Sequence, residues 1–213
     1  MIDSLSEEHS SNPMTEHLKI SDTSLRCGWC GTDPLYVQYH DEEWGRTVNF
    51  DDRKMFEFLV LESAQAGLSW ITVLRKRENY RKAFARFNPK KVALFDESDI
   101  ERLMNNPGIV RNRLKICAAV HNAKLFLNVQ KTHGSFYDFL CGFLPDDKPV
   151  MNHPETLEEI PPRTEFSDRI SREMKRLGFK FFGSTICYSH LQAVGLVNDH
   201  LESCPYKYHS GEH

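Results

Sequence analysis

The chain has 213 residues, of which 40% are apolar and 27% are charged, and its formal net charge is −3. These values are typical of one globular domain with a real core, and the overall charge gives no sign of a polyanionic partner. No apolar run approaches the roughly 18 residues of a membrane-spanning helix and the N-terminus carries no hydrophobic signal core, so we expect a cytoplasmic protein without membrane contact.

The first 24 residues are polar and acidic, with few residues that can build a core. Such a composition is typical of a disordered extension. We therefore expect a disordered segment at 1–24, a single folded domain at 25–205 and a C-terminal tail at 206–213.

The folded part opens on Cys27-Gly28-Trp29-Cys30, a spacing that also occurs in redox-active dithiols. A thioredoxin-type pair needs a strand–helix context, which the flanking sequence lacks. Half of a metal site is the alternative. The other cysteines, at 117, 141 and 187, lie in apolar surroundings and are expected to be small core residues.

Apolar residues recur at three- and four-residue steps along most of the chain, which predicts an all-α domain. The predicted helices cover 51–67, 68–87, 98–104, 110–130, 136–144, 167–180 and 183–204, the last range as one or two helices. Ser98 and Ser167 are the expected starts of their helices and Pro89 the expected end of another. The Pro- and charge-rich stretch 145–163 is expected to be a surface excursion.

A helix–hairpin–helix is predicted over about 98–129, where Asn105-Asn106-Pro107-Gly108 separates two helical patterns. A glycine turn entering a helix can expose backbone N–H groups to a phosphate oxygen. Most helical hairpins bind nothing, so the turn alone does not establish DNA binding. The basic run 75–91 is likewise either a solvated helix face or a surface for a phosphate backbone.

His200 and Cys204 are four residues apart on a helical pattern, which would place both side chains on one face. Cys27 and His40 could supply the other half of a tetrahedral zinc site, although Cys30 together with Cys27 is an alternative. A zinc ion there would be structural, since it would tie the start of the domain to its end.

Glu62 ends an apolar helical run and is either exposed or directed inward. An inward carboxylate needs a partner or a raised pKa. Aromatic residues that the fold can bring near it suit a flat, cationic ligand such as a modified purine: Trp29, Tyr36, Tyr39, Trp44 and Trp70.

Four blocks of the chain together resemble the bacterial 3-methyladenine DNA glycosylase I family. They are RCGWC with DPLYVQYHDEEWG, LESAQAGLSWITVLRKRENYRKAF, NPGIVRNRLKI, and GFKFFGSTICYSHLQAVGLVNDH. The similarity runs over about residues 26–204. Cys30, the N-terminal extension and the tail after Cys204 depart from the family pattern.

The resemblance implies a helix–hairpin–helix DNA glycosylase that hydrolyses the N-glycosidic bond of 3-methyladenine in alkylated double-stranded DNA after flipping the base. It implies a structural zinc bound by Cys27, His40, His200 and Cys204. Glu62 is the implied catalytic residue, and the implied substrate-binding residues are Tyr39, Trp70, Trp29 and Leu68, with Leu68 filling the gap left by the flipped base. The implied DNA-binding hairpin residues are Gly108, Ile109 and Arg111.

The segment after the hairpin offers neither an Asp nor a convincing Lys nucleophile. We therefore expect a monofunctional enzyme without strand-cleaving lyase activity, acting as a monomer and releasing 3-methyladenine in DNA base-excision repair.

Overall fold

The structure, a computed structural model, describes residues 25–48, 51–65 and 67–208. The expected disordered extension at 1–24 and the last part of the expected tail, 209–213, lie outside the described residues.

The described residues form a helical domain, as the apolar periodicity predicts. Its helices are α1 (Pro34–Glu42), α2 (Asp52–Gln65), α3 (Trp70–Ala83), α4 (Pro89–Val92), α5 (Glu97–Met104), α6 (Arg113–His133), α7 (Phe136–Cys141), α8 (Glu165–Arg176) and α9 (Ser184–Ala193).

Two short strands, β1 (Val150–Met151) and β2 (Val197–Asn198), pair in parallel with Val150 opposite Val197. They join the segment after α7 to the segment after α9.

Helix α2 is the central element of the core. Every residue from Met55 to Ala64 is buried, because α3, α6, α7 and α9 pack around it. A helix enclosed in this way cannot be amphipathic, so its polar members, Glu57 and Glu62, are buried with the rest.

Two helix starts differ from the sequence expectation by two to three residues. Asp96, not Ser98, is the N-cap of α5 and accepts hydrogen bonds from the N–H groups of Ser98 and Asp99. Thr164 caps α8, where Ser167 is the third helical residue and completes a capping box. Each predicted cap is therefore a first-turn residue, which a pattern of several consecutive polar residues does not distinguish from the cap itself.

Helix α3 ends at Ala83 rather than at Pro89. Residues 85–87 have positive φ angles, which stops the helix. Pro89 instead occupies the first turn of α4, after the N-cap Asn88, where the missing proline N–H costs nothing.

The predicted final helix, 183–204, is wrong beyond Ala193. Gly195 has φ +68, and a Cβ there would lie 2.0 Å from the carbonyl carbon of Arg46, so the chain leaves the helix at a point that only glycine tolerates. His200 and Cys204 therefore lie in turns after β2 and not on one helix.

Cys141 and Cys187 are buried, as expected, but Cys117 is exposed. Its neighbours Ile116 and Ala118 face the core, whereas position 117 falls on the outer side of α6. The apolar residues that flank Cys117 in the sequence therefore led to a wrong prediction of its burial.

No helix within the described residues is long and apolar enough to cross a membrane.

Candidate functional site

A cavity of about 410 Å³ opens beside the central helix α2. Three parts of the chain enclose it. They are the first segment of the domain, the C-terminal end of α2 with the N-terminal end of α3, and a wall formed by 157–162 with α9. The lining residues are Trp29, Tyr36, Tyr39, Trp44, Glu62, Gln65, Trp70, Leu157, Ile160, Pro161, Pro162, Thr185, Tyr188, Ser189 and Gln192.

Glu62 lies in this cavity and is buried, so the exposed alternative is wrong. Burial raises the pKa of its carboxyl from 4.5 to about 8, since the charged form loses its hydration. Oε2 has no hydrogen-bond partner among the described residues. A buried carboxyl without a protein partner is suited to a ligand that supplies donors or positive charge.

The structure brings the predicted aromatic residues together around Glu62. The rings of Tyr39 and Trp70 lie 5.5 Å apart, and those of Trp29 and Tyr39 lie 6.3 Å apart edge to face. Trp29 also contacts Trp44 at 4.8 Å. Several ring faces and one carboxyl therefore meet in one space, an arrangement that binds flat cations.

The far wall of the cavity was missed by the sequence analysis. Leu157, Ile160 and Pro161 line it, although the stretch 145–163 was expected to be only a surface excursion. Its composition resembles that of any exposed loop, so no signal in the sequence marked it.

Behind that wall, Asp199 fixes two cavity residues. Its buried carboxylate accepts hydrogen bonds from the Tyr188 hydroxyl and the Gln192 amide, both at 2.7 Å, and from the Asn152 amide at 2.6 Å. Because each donor is held by the same carboxylate, the orientation of Tyr188 and Gln192 depends on Asp199.

Next to the cavity lies a second cluster, in which all four predicted metal ligands meet. The ligand atoms of Cys27, His40, His200 and Cys204 lie within 4.8 Å of one another, and all four residues are buried. The His200 Nδ1 atom is 3.6 Å from Cys27 Sγ and 3.4 Å from Cys204 Sγ, and His40 Nε2 is 3.6 Å from Cys204 Sγ.

These separations agree with a tetrahedral site. Zinc bonds of about 2.0–2.3 Å to nitrogen and sulfur place neighbouring ligand atoms about 3.3–3.8 Å apart. Two sulfur and two imidazole nitrogen donors in a buried setting can hold a metal ion.

Second partners set the tautomer of each imidazole. The His40 Nδ1–H donates to Asp41 Oδ1 at 2.7 Å, which leaves Nε2 for a metal. The His200 Nε2–H donates to the Trp44 carbonyl oxygen at 3.0 Å, which leaves Nδ1. Since Trp44 lines the cavity, this hydrogen bond joins the two clusters.

Cys30 is outside the four-residue cluster, and burial raises the pKa of its thiol. A redox-active cysteine requires the opposite shift. The structure therefore does not favour the dithiol alternative.

The predicted hairpin is formed by α5, the turn 105–112 and α6. The Gly108 N–H donates to Asn106 Oδ1 at 2.8 Å, and a Cβ on Gly108 would lie 2.8 Å from Asn79 Cγ of α3. Ile109 is 2% exposed and packs into the core, while Arg111 is exposed. The Ile109 N–H donates to the Asn106 carbonyl oxygen at 3.4 Å, so both N–H groups of the turn are used within it. The side chain of Arg111 is the part of this stretch that is open to a partner.

Leu68 follows α2 in the short connection to α3 and is 40% exposed. It lies outside the cavity lining, three residues after Gln65, which belongs to that lining.

The basic run 75–91 is not one uniform cationic face. Arg77 forms ion pairs with Glu43 and the buried Glu57, and Arg81 also pairs with Glu57. Lys76 donates from Nζ to the carbonyl oxygen of Pro107 in the hairpin turn, at 3.2 Å. Part of the run therefore stabilises the fold, and part lies beside the hairpin.

The sequence profile of the methyladenine glycosylase family matches residues 29–208. The chain is 51% identical to DNA-3-methyladenine glycosylase 1 of Escherichia coli over 179 residues, which cover 84% of this chain and 95% of that protein. It is 47% identical to DNA-3-methyladenine glycosylase of Haemophilus influenzae, over 86% of this chain and 98% of that one.

Solved structures agree in fold. A crystal structure of 3-methyladenine DNA glycosylase I matches with a TM-score of 0.81 at 49% identity, covering 84% of this chain and 98% of that one. The enzyme of the same name from Staphylococcus aureus, solved to explain its recognition of 3-methyladenine, matches with a TM-score of 0.82 at 38% identity, over 87% of this chain and 98% of that one.

Proposed function

The chain belongs to the methyladenine glycosylase family, and from this premise we propose that it excises 3-methyladenine from alkylated double-stranded DNA by hydrolysing the N-glycosidic bond. The observation that carries the proposal is the buried, unpaired carboxyl of Glu62 in a cavity walled by aromatic rings. The products are the free base and an abasic site, and the process is the first step of base-excision repair.

The base must leave the duplex to reach Glu62, because this residue lies inside the protein. Leu68, exposed in the connection that follows α2, is positioned to fill the space that the base leaves. Arg111 and the hairpin turn that contains Gly108 and Ile109 would hold the phosphate backbone beside the lesion.

Methylation at N3 makes the attached base cationic and a good leaving group, so little acid catalysis is required. Glu62 in its carboxylate form accepts hydrogen bonds from the base and favours its positive charge. Tyr39 and Trp70 offer their ring faces, with Trp29 at the edge. A neutral adenine gains less from both interactions, which provides discrimination.

The electron pair of the C1′–N9 bond leaves with the base, and water adds to the oxocarbenium sugar. The described residues that line the cavity include no lysine, which agrees with a monofunctional enzyme that forms no Schiff base. Borohydride trapping should accordingly yield no covalent protein–DNA adduct.

Cys27, His40, His200 and Cys204 would hold a structural zinc. The ion would supply no step of the reaction. It would order the segment that carries Trp29 and Tyr39 by joining it to the turns after β2.

The test is incubation of the protein with methylated duplex DNA, followed by chromatography of the released bases. Free 3-methyladenine is the expected product. A protein that binds the DNA and releases no base would be a recognition module instead, and the proposed activity would be wrong.

A further inference from the structure

An outward-facing aromatic side chain, Phe181, lies in the connection between α8 and α9. It is 39% exposed, and its φ of +52° is one that bulky side chains rarely adopt. Phe87 has a similar φ of +54° but is fully buried, so core packing accounts for it. Core packing does not account for Phe181.

The backbone around Phe181 is held by hydrogen bonds from three different helices. The buried Asn122 amide of α6 bonds both the N–H and the carbonyl oxygen of Lys180, each at 2.9 Å. The Ser63 hydroxyl of α2 donates to the Phe181 carbonyl oxygen at 3.2 Å, and the Ser171 hydroxyl of α8 donates to that of Phe182 at 3.0 Å.

The residues on either side of this tip, Phe179 and Phe182, are buried. They anchor the connection from within, while Phe181 and the exposed Lys180 face outward. The fold thus fixes an aromatic ring in a solvent-facing position.

The backbone of Phe181 lies against α2, the helix that carries Glu62. Ser63, which bonds the Phe181 carbonyl, directly follows Glu62, and the connection leads into α9, whose Thr185 lines the cavity. Leu68 comes three residues after Gln65, which is the last residue of α2 and also lines the cavity. Phe181 and Leu68 are therefore attached to the two elements that form the cavity, α9 and α2.

The connection that carries Phe181 is hydrogen-bonded to α6, the helix that begins at the hairpin turn. Near the start of α6, Lys115 Nζ donates to the carbonyl oxygen of Ala64 at 2.9 Å. Asn122 lies seven residues further on, which is about 10 Å along a helix. The hairpin, the end of α2 and the Phe181 tip thus follow one another along one helix.

We propose that Phe181 is a further DNA-contacting residue, in addition to Leu68 and Arg111, and that it stacks on the bases next to the flipped nucleotide while Lys180 faces the phosphates. The proposal rests on the proposed function. A flipped base leaves its neighbours without a stacking partner, and an aromatic ring on a fixed backbone restores the stack at little entropic cost. This use explains an exposed ring in an unfavourable conformation on a connection that is bonded to α2 and leads into α9.

The test separates DNA contact from folding by the variant Phe181→Gly, because glycine tolerates the positive φ. We expect an unchanged or higher Tm for this variant. Excision of 3-methyladenine from duplex DNA should fall by about tenfold or more, which is the size of effect that losing a base–aromatic stack produces. Excision from a single-stranded oligonucleotide, which needs no duplex opening, should change by less than about twofold.

Two further variants serve as controls. Phe181→Trp keeps an aromatic face and should retain duplex excision. Met151→Ala removes an apolar side chain of similar exposure, 44%, that does not line the cavity, and should behave as wild type.

Duplex excision by Phe181→Gly within twofold of wild type would overturn the proposal, as would an equal loss on both substrates together with a lower Tm. If the wild-type protein releases no 3-methyladenine from either substrate, the proposed function fails and not this inference. Binding to a duplex with an abasic-site analogue, which needs no base release, then decides: weaker binding by Phe181→Gly supports the contact, and equal binding refutes it.

Discussion

At the scale of single residues, Glu62 determines how the site responds to pH. Burial raises the pKa of its carboxyl to about 8 in the empty protein, so at neutral pH most molecules carry it protonated. A cationic base favours the carboxylate, and binding must therefore release a proton.

We accordingly predict that the second-order rate constant for excision rises by up to about tenfold per pH unit below pH 8 and levels off above it. The cause is the growing fraction of carboxylate as pH rises through the pKa. Glu62→Gln should abolish this dependence, since the amide does not titrate in this range. A wild-type profile that is flat from pH 6 to 8 would contradict the assignment.

His190 provides a second titrating group, this time in the core and apart from the chemistry. It is fully buried, with the rings of Phe182 and Phe136 at 5.5 and 6.4 Å. Burial lowers its pKa from 6.5 to about 3, because the charged imidazolium is disfavoured there.

The pKa of His190 is depressed in the folded state, so between pH 3 and 6.5 the unfolded chain binds the proton and the folded one does not. Its contribution to stability is thus complete above pH 6.5 and is lost as pH falls, at a rate of at most about 1.4 kcal/mol per pH unit. Denaturant unfolding of wild type and His190→Phe between pH 7 and 5 measures this. The free energy of unfolding of the variant should fall less than that of wild type over this pH range. An equal fall for the two proteins would refute the effect.

At the scale of elements, the hairpin is the part expected to hold DNA irrespective of damage. Arg111 is exposed in its turn, while Lys131 is an exposed cation near the far end of α6, about 30 Å away by helix length.

Arg111→Ala should weaken binding to methylated and unmethylated duplexes equally and reduce the salt dependence of log K by about one phosphate contact. Lys131→Ala should alter neither. Titrations at several salt concentrations distinguish the two, and a loss confined to methylated DNA would place Arg111 in base recognition instead.

The elements also show which parts of the fold the sequence predicts and which it does not. Apolar periodicity predicts most of the helices but neither α1 nor α4. It succeeds for α3, α6, α7 and α9, which each bury one side against the central helix α2. It fails after Ala193, where Gly195 must pass within contact distance of Arg46, because such a close approach is a tertiary constraint that no local pattern encodes.

The candidate site divides in the same way. Glu62, the aromatic residues and the four cysteine and histidine residues were named from the sequence, and the structure brings each group together. The helical spacing that paired His200 with Cys204 was nevertheless wrong. Leu157, Ile160 and Asp199 were not named, because apolar loop residues and an acidic residue near a chain end are ordinary until the fold brings them to the cavity.

At the scale of the whole molecule, the cluster of Cys27, His40, His200 and Cys204 joins the two ends of the described chain. The tail beyond Cys204 is held there as well, since the buried Lys207 donates from Nζ to the carbonyl oxygens of Asn152 and His200, at 2.5 and 3.0 Å. The first and last parts of the domain are thus mutually dependent.

We expect this cluster to hold zinc, and removal of the zinc by a chelator should lower Tm by about 5–10 °C, which corresponds to about 2–3 kcal/mol in a chain of this size. Cys204→Ser should reproduce the loss and reduce bound zinc, whereas Cys30→Ser should keep the zinc stoichiometry and the activity. Loss of zinc from Cys30→Ser would show that the ligand set is different.

We infer that one buried carboxyl in an aromatic cavity makes this protein a glycosylase for a cationic base. Single-turnover release of 3-methyladenine from duplex DNA, measured side by side for wild type and Glu62→Gln at pH 8, tests it most directly. We expect release by wild type and a decrease of at least about a hundredfold in the variant, the scale expected for losing a buried charge interaction at the reacting base. Equal rates for the two proteins, with equal folding and zinc content, would contradict it.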